Sequence, residues 1–291
     1  MIPINQIKKV CQNPATYSSA GFIDRIHLRM SIYFTWVFVN MGISANKITI
    51  LSGILCLIGG VLLASESIIL FFIGVLCFNF FPVLDCCDGH VARYNNNSTM
   101  YGRFLDWYMV FILDATMFVG LSIGVLSYNF SKLLFICSLF TVLTPLLIKS
   151  VLTGGWTAIC WERLDVLSGK KLPFLNDKAK AIDQSNELTK SNTIPWQNRI
   201  KTFINIIITA SFSSLAPIVL FVLSLFQILI NKYFMSNIDF RPYLIYYIGL
   251  IGPIYCLLLL RKRFVENSFE DGYTRLFDNP KLIQLPRHYF F

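Results

Sequence analysis

The sequence predicts an all-α integral membrane fold, six transmembrane helices preceded by an N-terminal interfacial amphipathic helix. Three observations predict it. Of 291 residues, 55% are hydrophobic and only 14% charged, at a mean hydropathy of +0.59, whereas soluble domains carry roughly 25% charged residues. The apolar residues fall in long runs, and several runs reach the ~18 residues needed to cross a hydrocarbon core of about 30 Å. The cations gather on one side of the spans that these runs define.

Residues 1–45 are mixed in character and read as a cytoplasmic and interfacial segment. The first 20 residues lack an apolar core followed by a cleavage site, so no signal peptide is expected. Ile23 to Val39 carries Arg25, His27 and Arg29 among Ile, Leu, Met, Phe and Trp36, as suits a helix lying in the membrane interface with its cations at the headgroups. Spans are predicted at about 47–65, 68–88, 103–126, 132–152, 203–230 and 242–260. Little more than Ser65-Glu66-Ser67 separates the first two, which must be antiparallel neighbours. From Cys160 to Lys201 the chain turns polar, with Pro173 and Pro195. Residues 153–201 therefore read as a polar cytoplasmic loop within a membrane domain at 46–262, and 263–291 as a C-terminal cytoplasmic tail.

Six spans place both termini, the 89–102 turn and the 153–201 loop on one side. That side holds every Lys and Arg except Lys132, Lys232 and Arg241. Cytoplasmic loops carry the cations, so this side is predicted to face the cytoplasm. The net charge of +9 is then mostly topology plus attraction to anionic lipid, with some cations left to hold phosphate, and no nucleic-acid partner is implied. The eight cysteines show no C-x-x-C pair and read as small buried hydrophobes. Cys86 and Cys87, between two acids, carry a second reading as reactive thiols.

Asp85-Cys-Cys-Asp88-Gly89-His-Val-Ala92-Arg93, followed by Gly102-Arg-Phe-Leu-Asp106, puts three carboxylates into a chain that otherwise avoids charge. A carboxylate near a membrane core costs roughly 2.5–3.5 kcal/mol on insertion scales, so the three need a compensating partner. Asp85 and Asp88 are three residues apart, about 60° around a helix and on one face. Pro82 loosens the ladder one turn earlier. Gly89 and Ala92 lack bulk, so a helix or a ligand can approach the backbone. Asp106 opens the third span on the same side as the first two acids. Oxygen ligands of this kind suit Mg²⁺ or Mn²⁺ completed by water and substrate phosphate.

The order Asp85-x-x-Asp88-Gly89-x-x-Ala92-Arg93, then Gly102-x-x-x-Asp106, resembles the signature of the CDP-alcohol phosphotransferases, also called CDP-alcohol phosphatidyltransferases. The segment Gly42-Ile-Ser-Ala-Asn46-Lys-Ile-Thr49 resembles the stretch before that family's first span. The resemblance implies metal-dependent transfer of a phosphatidyl or other substituted phosphoryl group from a CDP-linked lipid or small alcohol to the hydroxyl of a small polar alcohol, releasing CMP. It implies that Asp85, Asp88 and Asp106 hold two metal ions. Asn46, Thr49, Gly89, Ala92, Arg93 and Gly102 would then lie at the nucleotide. A homodimer is implied in the same way.

The family pattern continues with a further Asp four residues after Asp106, usually assigned as the base that deprotonates the acceptor; this chain has Val110. Asp114 lies one turn further, about 12 Å beyond Asp106 and rotated by about 80°, and is expected to face the bundle interior. His90 and Tyr108 fall on roughly the opposite side of an ideal helix from Asp88 and Asp106, and neither is a convincing substitute. The catalytic base is thus unassigned. One reading is a working transferase of phospholipid biosynthesis, its base drawn from another helix or from water. The alternative is a degenerate member that binds a CDP-lipid or a protein partner without turnover. A channel or transporter is the third class, and the clustering of the acids at one membrane face counts against it.

Overall fold

The computed structural model describes residues 2–11, 22–167, 216–234 and 239–265. The described residues form helices and no strand: α1 (Ile4–Cys11), α2 (Phe22–Asn40), α3 (Ala45–Leu63), α4 (Ile68–Tyr94), α5 (Met100–Tyr128), α6 (Lys132–Leu167), α7 (Ala216–Phe234) and α8 (Arg241–Val265). Helices α3 to α8 each contain a stretch long and apolar enough to cross a membrane, giving the predicted six spans. The protein is a multi-pass integral membrane protein. Its chain divides into two compact units, Met1–Leu146 with Ser214–Leu250 and Leu147–Ser213 with Ile251–Phe291. The first unit holds α1 to α5, α7 and the start of α6 and α8. Of the second, the described residues are the C-terminal parts of α6 and α8.

Helix α1 is a short element that the sequence reading left inside a mixed segment. Ile7 and Cys11 are buried against Ile32, with Trp36, Val39 and Tyr94 around them, while Lys8 and Lys9 stay exposed. The Ile2 amide donates to Asn40 Oδ1 at 2.9 Å, and Trp36 Nε1 donates to the Ile2 carbonyl at 2.7 Å. Helix α2 occupies the place predicted for a helix over 23–39. It buries Ser31, Ile32 and Thr35 and ends in a Schellman turn. There the Gly42 amide donates to the Val39 carbonyl, the Ile43 amide donates to the Phe38 carbonyl, and Gly42 takes a φ of +68°.

This turn delivers the chain into α3, which is antiparallel to α4 across the Ser65-Glu66-Ser67 connection. Small residues let α3, α4 and α5 close on one another. A side chain at Gly120 would strike the Gly60 carbonyl, and one at Gly74 would strike that of Gly59. Van der Waals contact between backbones replaces the hydrophobic drive that lipid cannot supply. Asn79 Nδ2 donates to the Pro217 carbonyl at 2.9 Å and joins α4 to α7. Thr141 Oγ1 donates to the Ile245 carbonyl at 3.2 Å and joins α6 to α8.

Two elements outrun their predicted C-terminal limits furthest. Helix α4 continues six residues past Asp88 to Tyr94. Helix α6 continues to Leu167, into the segment read as a polar loop. Thr153 to Leu167 contains no proline, and its Glu162, Arg163 and Leu164 are good helix formers. Polarity alone was the wrong signal for a helix end. The remainder of that loop and most of the C-terminal tail lie outside the described residues.

Candidate functional site

The site is assembled where α4 ends and α5 begins. Asn95, Asn96 and Asn97 close α4 with a second Schellman turn, in which the Asn96 and Asn97 amides donate to the Arg93 and Ala92 carbonyls. Asn96 takes a φ of +51°, a conformation asparagine tolerates better than most residues. Thr99 then caps α5, its hydroxyl accepting from the Gly102 amide at 3.0 Å. The reversal is short and capped at both ends, so it returns Asp106 to the level of the acids on α4.

Asp85, Asp88 and Asp106 meet there. Each offers a carboxylate oxygen, and the three oxygens lie within 4.8 Å of one another. Asp88 is buried, 7% exposed, and the other two are partly open. Unit charges at the 4.8 Å limit repel by about 3 kcal/mol per pair at an effective dielectric of ~20. Among the described residues, no Lys or Arg nitrogen forms an ion pair with them. The donor set is all oxygen, and oxygens on opposite sides of one Mg²⁺ stand about 4.2 Å apart. The spacing therefore fits one small hard cation, or two bridged by shared carboxylates.

The other residues named from the sequence gather around this cluster in two groups. Thr49, on α3, donates its hydroxyl to Asp88 Oδ2 at 2.5 Å. Asn46 stands against Gly102, where an added Cβ would come within 3.1 Å of Asn46 Oδ1. Arg93 folds back along α4, and a Cβ at Gly89 would meet its guanidinium at 3.6 Å. Asn46 and Ala92 line an open cleft of about 70 Å³ together with Ser44, Ala45, Asn95, Asn97 and Thr99. Asn95, Asn97 and Thr99 were read from the sequence only as a turn. The density of neutral hydrogen-bonding side chains next to the acids is the signal that could have marked them.

The residues weighed as stand-ins for the missing acid point elsewhere. His90 is 1% exposed, with Nδ1 at 3.2 Å from Thr35 Oγ1 and 3.4 Å from Ser31 Oγ, both on α2. Tyr108 is 53% exposed and stacks on Phe104. Asp114 is buried inside the bundle, as expected. Cys87 is also buried and donates to the Ser31 carbonyl at 3.2 Å. None of the seven cysteines whose side chains are described is in a disulfide. Of these groups, His90 and Cys87 join α4 to α2.

Comparison with known proteins gives one match. The family model described as CDP-alcohol phosphatidyltransferase matches residues 42–235, about two thirds of the chain. No curated protein and no solved structure matches it.

Proposed function

The chain belongs to the CDP-alcohol phosphatidyltransferase family, and we propose that it transfers a phosphatidyl or other substituted phosphoryl group from a CDP-alcohol to an acceptor hydroxyl, with release of CMP, at Asp85, Asp88 and Asp106. Membership supports phosphatidyl transfer from a CDP-alcohol in phospholipid synthesis. The observation that carries the choice of site is the convergence of three carboxylate oxygens within 4.8 Å. The six apolar helices and the one-sided cations support a cytoplasmic position for this end of the bundle.

Asp85, Asp88 and Asp106 hold Mg²⁺ or Mn²⁺ in this reading. When bound, such ions supply the positive charge that offsets charge growing on the phosphoryl oxygens during an in-line displacement. Gly89, Ala92 and Gly102 keep the backbone approachable for the nucleotide. Asn46, with Asn95, Asn97 and Thr99, offers neutral hydrogen-bonding groups along the cleft. Arg93, whose guanidinium lies beside Gly89, would pair with a phosphate. The acceptor oxygen forms its bond to the phosphorus distal to cytidine as the bond to the CMP oxygen breaks. The acceptor proton leaves to a group other than residue 110, since a valine side chain takes none.

Val110 favours a second reading, a member that binds the CDP-alcohol without turning it over. Both readings meet the same assay. The full chain in lipid nanodiscs is given CDP-diacylglycerol and a panel of small alcohol acceptors, and CMP is measured with and without Mn²⁺. Release that requires Mn²⁺ and is abolished by Asp88→Asn is expected. Release that survives both Asp88→Asn and chelation would sink the metal mechanism. Mn²⁺-dependent binding of the donor with no CMP from any acceptor selects the second reading.

A further inference from the structure

We infer that Thr49 is a positioning residue, which fixes the Asp88 carboxylate for the cation rather than contacting the nucleotide. The inference rests on the proposed role of the three acids as metal ligands and assigns one more residue to that site.

Thr49 is 3% exposed, so it has almost no surface to offer a nucleotide. Its hydroxyl has one proton, with two acceptors in reach: Asp88 Oδ2 at 2.5 Å and the Ala45 carbonyl at 3.1 Å. The carboxylate is both closer and the stronger acceptor, because hydrogen bonds to an ionised oxygen are about twice as strong as neutral ones. The proton therefore serves Asp88. A terminal carboxylate torsion is otherwise broad and nearly free, whereas a β-branched side chain in a helix is stiff.

The platform beneath Thr49 is also fixed. Helix α3 is pinned to α5 by the close approach of Gly60 to Gly120, and Met109 Sδ sits where a side chain at Gly53 would go. A donor on this helix holds one oxygen of Asp88, and the residue offers a carboxylate oxygen to the cluster. Asp88 is the most buried of the three acids, so its orientation is the one least able to be set by water. A hydrogen-bond partner behind a metal ligand is commonly worth 10- to 100-fold in metal affinity.

The test uses Mn²⁺ itself, with free ion counted by electron paramagnetic resonance during titration of the full chain in detergent. Thr49→Val, which keeps the shape and removes the hydroxyl, is expected to weaken Mn²⁺ binding on the order of 10-fold or more, with Thr49→Ser restoring it. Should Thr49→Val fail to fold, Thr49→Ser against Thr49→Ala carries the same comparison, since those two differ by the hydroxyl alone. Mn²⁺ binding unchanged in the hydroxyl-free variant, with CDP binding weakened instead, overturns the inference and returns Thr49 to the nucleotide. Asp88→Asn separates this from failure of the underlying reading. Loss of Mn²⁺ binding in Asp88→Asn keeps the site and judges Thr49 alone, whereas undiminished binding overturns both.

Discussion

At the end of the bundle where α3 turns into α4, Asp239 is saturated with donors. Arg241 Nε donates to both its oxygens at 3.0 Å, and the Arg241 amide and Gln227 Nε2 reach Oδ1 at 2.9 and 3.3 Å. Arg241 Nη2 and the Tyr128 hydroxyl meet Oδ2. The guanidinium's other donors go to the Ser65 and Glu66 carbonyls, and its face lies over Phe71 and Tyr128. At the opposite end, three carboxylates share a space of 4.8 Å, and among the described residues Thr49 is the one side chain outside the cluster that hydrogen-bonds to them. One end carries its counter-ion two residues along the chain. The other brings like charges together from two helices, where the proposed cation would offset them. The contrast is between charge that the fold neutralises for itself and charge that it gathers without a described cationic side chain.

The largest expected effect comes from adding to the uncompensated end. Val110→Asp supplies the acid that the resemblance leads one to expect at this position, and a positioned base is typically worth 10²–10⁴ in rate, or roughly 3–5.5 kcal/mol. Metal-dependent CMP release is expected to rise within that range, while the melting temperature without divalent cation falls because a fourth carboxylate joins the cluster. An unchanged rate with donor binding intact would mean that this end lacks only its cation, the proton leaving by a route of its own.

Removing charge from the compensated end should act on stability and not on chemistry. Arg241 is 6% exposed, so Arg241→Met strands a partly buried carboxylate, and breaking such a pair costs about 3–5 kcal/mol. Unfolding in mixed micelles should show that loss, with metal affinity of the folded fraction unaltered. A stability within ~1 kcal/mol of the original would place the pair with ordinary surface salt bridges and erase the contrast.

Asp85→Asn tests the other half. Without divalent ions it should melt no lower than the original, because it relieves repulsion. Ligand present at 100 times its dissociation constant stabilises a fold by about 2.7 kcal/mol. The original chain should gain that from Mn²⁺, and Asp85→Asn should gain little. Equal stabilisation of both would show that the ion binds elsewhere.

How much of this contrast the sequence carried differs between the ends. The spans were legible because a hydrocarbon core dictates length and composition together. The three acids were legible because Asp85 and Asp88 share a helix face and Asp106 lies across one short turn. The compensated end was not: Arg241 counted only as a stray cation in an outer loop, although Asp239 stands two positions before it. Its burial depends on Tyr128, Gln227 and the 65–66 carbonyls, which come from helices far apart in the chain. Thr49 was noticed without its partner, since nothing local shows that its hydroxyl faces a carboxylate 39 residues on. Helix α1 escaped notice because two turns with a polar face carry too weak a pattern, and Ile32 and Trp36 supply what holds it.

The smallest effect is in pH dependence. Burial alone would push the Asp239 carboxyl upward, but hydrogen bonds from Arg241 and Tyr128, with the Arg241 charge, outweigh it and hold the group below the usual carboxylate range. A group whose folded value is depressed contributes stability that is complete above its unfolded value, near 4 for an aspartate, and is lost as pH falls through the folded value. Asp239→Asn lowers stability at every pH because Arg241 is left buried without its anion, so the informative quantity is the slope. Between about pH 5 and pH 3 the original chain should lose stability more steeply than Asp239→Asn. The carboxylates common to both proteins cancel in that difference. Parallel curves would mean that Asp239 titrates as it does unfolded, and its crowd of donors would then be geometry without electrostatic consequence.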